Sequence, residues 1–201
     1  MKVGILQIVV VMSVLICCGC GQKTTNIDVV NDEGNPVMAL DYRDFDQAAS
    51  AMVQSMLGSG ALKKKDGGRY VVATGRIVND TMQRIDTDQL MAKIEEELLN
   101  SGQVVMSSAV GSGTDKLIHE TRELRDSEEF DQNSVAKRGT LLAPELSISG
   151  KIFQRNLPYD RRRQQVEYYF QLKLSDATSG LRYWQKESLI GKRGSNRSVA
   201  W

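Results

Sequence analysis

The sequence predicts an α/β chain of α+β character, a single mixed sheet with helices packed on it. Three observations carry that expectation. Two segments repeat apolar residues at helical spacing, each opened by an Asp-x-x-Gln pattern and closed by glycine. Short β-branched runs, Arg69–Val78 and Gln103–Ser107, lie between and after them. From Leu146 onward the apolar period changes from helical spacing to two, and it keeps that period to the end of the foldable region.

In chain order, the first predicted helix opens at Asp44 with Gln47. It places Phe45, Ala48, Ala49, Met52, Val53, Met56 and Leu57 on one face and stops at Gly58-Ser59-Gly60. A strand over 69–78 follows. Asp86 and Gln89 open the second helix, with Leu90, Met91, Ile94, Leu98 and Leu99 facing inward and Gly102 closing it. After the strand over 103–107, residues 114–130 read as a charged helix with a thin stripe of Leu117, Ile118, Thr121 and Leu124. Ser134–Arg138 reads as one further helical turn. Leu146, Ile148 and Ile152 then alternate with polar neighbours. Val166, Tyr168, Phe170, Leu172 and Leu174 do the same before the hairpin loop Asp176–Gly180 and a last strand over 181–190.

Composition excludes several function classes. The 201 residues hold 26 basic and 25 acidic side chains, a balance that argues against nucleic acid as a partner. All 3 cysteines fall at positions 17, 18 and 20, so the body of the chain has neither a disulfide nor a thiol nucleophile. The single histidine, His119, has no serine, cysteine or second histidine at productive spacing, and it reads as an ordinary helix residue. Gly111-Ser112-Gly113 lacks the third glycine of a dinucleotide fingerprint and the ending of a P-loop, so it reads as a loop. No catalytic residue, metal site or cofactor is expected, and the chain is not expected to be an enzyme.

The amino terminus reads as an address. Lys2, the apolar run Val3–Ile16 and the cysteine cluster make residues 1–19 a signal peptide. A cysteine at the cleavage point resembles a bacterial lipobox. Cys20 is the first choice for acylation because small Gly19 precedes it, and Cys18 is the second. Residues 20–40 form a lipidated flexible tether, which stretches to no more than roughly 70 Å. Gly21 after Cys20 is compatible with outer-membrane sorting. Arg161, Arg162 and Arg163, beside Tyr159 at a hairpin tip, are the candidate partner-binding residues for an acidic protein or lipid patch. At the same tip they also suit plain solvation of a sheet edge.

Several stretches together resemble the LpoB family. They are Ile85–Leu90, Leu98–Gly102, Leu146–Gly150, and Val166–Gly180 followed by Leu181 and Trp184. The likeness spans residues 41–192 as a globular domain and leaves 193–201 as a tail. It implies a fold akin to the amino-terminal domain of TolB. It also implies a lipoprotein anchored in the outer membrane and facing the periplasm, monomeric, which activates a bifunctional (class A) penicillin-binding protein, a peptidoglycan synthase. The alternative is a structural or secretion-related envelope lipoprotein with a different protein partner and a curli-exporter-like domain.

Overall fold

Helix α1, Tyr42–Gly58, begins two residues before Asp44, the residue the sequence pattern nominates as its cap. The true cap is Asp41, whose carboxylate accepts from the N–H groups of Arg43 and Asp44, while Asp44 reaches back to the Asp41 N–H at 2.8 Å. Aspartate serves at both positions because either end of the box needs only an acceptor oxygen. The described residues of this computed structural model are 28–29, 37–195 and 197. The signal peptide, Cys18, Cys20 and most of the tether therefore lie outside them. Contacts divide the chain into Met1–Glu33 and Gly34–Trp201, and every helix and strand below belongs to the second unit.

Strand β1 spans Tyr70–Asp80, helix α2 Thr87–Asn100, strand β2 Val104–Met106 and helix α3 Lys116–Glu123. Strands β3, β4 and β5 span Leu146–Pro158, Arg163–Asp176 and Arg182–Ser195. They form one five-stranded sheet in the order β2-β1-β3-β4-β5. β1 runs parallel to both neighbours, as helical crossovers require, and β3, β4 and β5 form an antiparallel meander. The expected single mixed sheet with packed helices is what the chain forms.

The core lies between one sheet face and the helices. Ala48, Ala49, Met52, Val53 and Met56 from α1 meet Leu90, Ile94 and Leu98 from α2. Opposite them stand Ile148, Ile152, Val166, Tyr168, Phe170, Leu172 and Leu174. Phe45 meets Phe170 edge to face at 6.0 Å. Leu99, expected in this core, is 50% exposed, because the fourth apolar residue of the α2 stripe is already Leu98.

The expected helix over 114–130 is the largest departure. α3 holds eight residues and a single 3-10 turn, Leu124–Asp126, follows it. Its stripe buries nothing and Leu117 is 59% exposed, so no apolar face sustains the helix. Beyond Ser127 the Gln132 side chain takes the carbonyls of Leu124, Ser127 and Phe130, the bonds a longer helix would have made along its axis. Ser134–Arg138 forms turns rather than helix.

Residues 38–40, assigned from sequence to the tether, are part of the fold. Met38 and Leu40 pack on the core. Tyr168 Oη donates to the Met38 carbonyl at 3.0 Å and accepts from Gln83 Nε2, while Gln83 Oε1 accepts from the Leu40 N–H. Burial pushes the Tyr168 hydroxyl up to about 12, so it remains a donor across the physiological range. Lys192 Nζ donates to the Ala39 carbonyl at 2.7 Å and forms ion pairs with Asp44 and, at 3.7 Å, with Asp41. β5 itself runs to Ser195, so residues 193–195 of the expected tail are strand.

Lys192→Met leaves the Asp44 carboxylate without its cation and Asp41 with Arg43 alone. It is expected to lower unfolding free energy by about 3–5 kcal/mol in urea titration, and Asp44→Asn in that background should recover part of the loss. For Asp41, burial pushes the carboxyl up, but bonds from Arg43 and Asp44 and the charge of Lys192 outweigh it and hold it below its ordinary value. Its contribution is therefore present above the unfolded value of 3.8 and is lost as pH falls through the lower folded value.

Candidate docking surface

The outer face of the sheet carries the side chains that alternate with the core. Along β3, β4 and β5 the residues directed away from the helices are all half-buried or exposed. In one transverse row Asp80, Phe153, Tyr169 and Leu189 stand in direct register across four strands. Phe153 and Tyr169 stack at 4.6 Å, nearly parallel. Arg155 lies 5.4 Å from the Tyr169 ring, and Lys151 lies 5.8 Å from Phe153 while pairing with Asp80. Leu189, 55% exposed, extends the row to β5. Tyr169 Oη donates to Glu167 at 2.6 Å, and with Gln165 this holds the Glu167 carboxyl below its usual range. Next to the row, an open hollow of about 330 Å³ is lined by Val78, Lys151, Gln171, Lys173, Arg182 and Gln185.

At the end of the β3/β4 hairpin the three arginines separate in role. Arg161 and Arg162 lie in the turn, whereas Arg163 is the first residue of β4. Asp160 accepts from the N–H groups of Arg162 and Arg163, each at 2.8 Å, and from Arg163 Nε at 2.7 Å. Those donors, the Arg162 N–H foremost, hold its carboxyl below the usual range. The Tyr159 ring is flanked by Arg163 at 4.9 Å and Arg193 at 3.7 Å. Arg193 reaches it from β5, and no sequence pattern had marked that contact.

The other candidates resolve into structural parts. His119 Nε2 bonds the Ala109 carbonyl at 2.7 Å. The neighbouring hollow of about 580 Å³ is walled by Arg122, Arg125 and Arg138. Arg122 there donates to the Lys137 carbonyl and Arg125 to the Arg122 carbonyl. In the Gly-Ser-Gly loop the Ser112 N–H donates to the Thr74 carbonyl at 2.7 Å, so that donor is turned to β1 rather than to a ligand. Lys64 pairs with Glu145 at 2.7 Å, tying the loop before β1 to the residue that precedes β3. Trp184 packs on the core, and Tyr183, on the other face, donates to Asp176 at 2.9 Å. Among the described residues no group of three or more His, Cys, Asp or Glu could hold a metal ion, and no helix is long and apolar enough to cross a membrane.

What these elements build is a helix-backed sheet offering an open face of aromatic and charged side chains. Residues 44–190 match the family model of the peptidoglycan-synthase activator LpoB, and the chain belongs to the LpoB family. Similar solved structures include the LpoB C-terminal domain from Salmonella enterica, at 11% identity and a TM-score of 0.43, covering 73% of this chain and 98% of that one. The LpoB C-terminal domain from Escherichia coli gives 12% identity, the same coverages and a TM-score of 0.43. Lipoprotein GNA1162 from Neisseria meningitidis gives 8% identity, coverages of 65% and 86%, and a TM-score of 0.34. No curated protein sequence matches the chain.

The loop assignment can be tested directly. Gly111 has φ +98°, and a Cβ there would lie 2.3 Å from the Thr74 carbonyl oxygen; one at Gly113 would meet the flexible Glu95 carboxylate at 3.3 Å and the Thr74 hydroxyl at an ordinary 3.5 Å. Gly111→Ala is expected to destabilise the fold by about 3 kcal/mol and Gly113→Ala by far less, both read from thermal unfolding.

Proposed function

We propose that this chain is a lipid-anchored outer-membrane regulator that binds and activates a bifunctional, class A penicillin-binding protein. The observation that carries the reading is the match to the peptidoglycan-synthase activator family over residues 44–190. The acyl anchor is Cys20, with Cys18 as the second choice, and the domain faces the periplasm as a monomer. Activation is allosteric: the domain binds the active state of the synthase more tightly than the resting state, and the difference sets the size of the effect. The open sheet face suits such docking, because tyrosine and arginine on a rigid scaffold are the side chains that dominate interface energetics. From Gly21 to Val37 there are 17 residues, which reach no more than about 60 Å.

The first experiment is a calorimetric titration of the acyl-free chain, starting at Gly21, against the periplasmic part of each bifunctional synthase of the source organism. Micromolar or tighter binding to one of them, with faster glycan polymerisation, is expected; no heat with any synthase from a folded chain would overturn the reading. Tyr169→Ala should weaken that binding about 30-fold with the thermal midpoint little changed. For the anchor, Cys18→Ser combined with Cys20→Ser should release the full-length protein from membrane fractions, and retention there would sink the lipobox assignment.

A further inference from the structure

The strap at residues 38–40 has a direction. Ala39 is held by Lys192, while Met38 lies against Gly194, where an added Cβ would sit 2.5 Å from its sulfur. Traced toward the amino terminus, the chain therefore advances along β5 in the direction of Ser195. In register, Gly194 faces Gln164 and Ser195 faces Arg163. The tether consequently leaves the domain beside the tip of the β3/β4 hairpin, at the end where the arginines gather.

That end is strongly basic in a chain whose net charge is +1. Arg161, Arg162, Arg163, Arg193 and Arg197 are all exposed there, and Asp160 is the carboxylate among them. Asp160 is already engaged in fixing the turn. Tyr159, 48% exposed, has two guanidinium groups against its ring. The compensating acid lies in the connection from β2 to β3, where residues 115–131 carry seven carboxylates against three cations. The basic end therefore coincides with the exit of the domain's own tether.

We propose that the arginine-lined hairpin end is a membrane-facing surface that binds anionic phospholipid headgroups, a second attachment for the domain beside its lipid anchor. The proposal rests on the anchored reading above for its orientation, since the tether leads from this end to the acylated cysteine. A short tether keeps the basic end at high effective concentration near the membrane surface. An aromatic ring with guanidinium groups beside it suits the headgroup region, where one side is apolar and the other wet.

The test uses the acyl-free chain from Gly21, so that it stands apart from the anchor, in sedimentation with phosphatidylcholine vesicles with and without phosphatidylglycerol. Binding only to the phosphatidylglycerol vesicles, weakened by salt, is expected. Each basic residue near an anionic surface contributes about a five-fold factor, so Arg161→Gln with Arg162→Gln should lower partitioning roughly 25-fold. Lys63→Gln with Lys65→Gln changes net charge equally at a distant loop and should leave binding near wild type. Equal binding to both vesicle types, or an equal effect from the two double variants, overturns the proposal. If the arginine variant keeps vesicle binding but loses stimulation of the synthase, the hairpin end is a protein dock and the proposal also fails. A wild-type chain that binds vesicles but no synthase would instead remove the activator reading and leave this surface standing.

Discussion

The buried ammonium of Lys192 is the constraint on which the rest of the molecule depends. Its side chain is only 9% exposed and it comes from the last strand, yet its partners are Asp41 and Asp44 at the first turn of the first helix. A cation in that position is tolerable only with its charges matched and its hydrogen bonds made, which the Ala39 carbonyl completes. One side chain thereby fixes the start of α1, the position of the strap and the outer edge of the sheet together. The chain Gln83 to Tyr168 to Met38 repeats the closure from β4. Because both devices hold the strap along β5, the place where the tether departs is a consequence of core chemistry rather than of the tether.

The same strands serve two purposes because their side chains alternate. Tyr168 and Tyr169 are neighbours in sequence and stand on opposite faces of the sheet. The first is buried and bonded to the strap. The second stands on the open face with its ring against Phe153 and its hydroxyl on Glu167. The inner face is committed to packing, so variation there is limited by volume. The outer face owes little to the core, so its rings and guanidinium groups are available to a partner at small expense in stability.

Much of this was legible in the sequence, and the limits have physical causes. The helical and alternating periods located α1, α2, β3 and β4, because the faces they describe are buried, and the hairpin loop before it located β5. The cap at Asp41 was misplaced to Asp44 because two aspartates three apart satisfy the same geometry as Asp-x-x-Gln. The helix over 114–130 was drawn too long because its composition is helical while nothing covers its apolar stripe. The close approach at Gly150, where a Cβ would lie 2.4 Å from the Gln171 carbonyl oxygen, is set by the partner strand and leaves no local pattern. The arginines of the tip were visible as a run, but their partner Arg193 was not, since cross-strand neighbours thirty residues apart leave no local pattern. Nor did any local signal mark 38–40 as part of the fold; its bonds all go to residues more than forty positions away.

Length sets how the two proposed surfaces relate. β3 has 13 residues and is about 43 Å long, and its last five, Gln154–Pro158, run past the end of β1. A domain resting on headgroups by its basic end, as proposed, carries the Phe153–Tyr169 row partway up that length, still close to that membrane. Released, the same domain is limited by its tether of about 60 Å. Under the proposed anchoring, reaching a partner farther from the membrane than the domain itself therefore requires the hairpin end to let go. Headgroup binding by a few arginines is weak, reversible and screened by salt, which is the strength such an exchange needs. An attachment as firm as a second acyl chain would hold the open face out of reach.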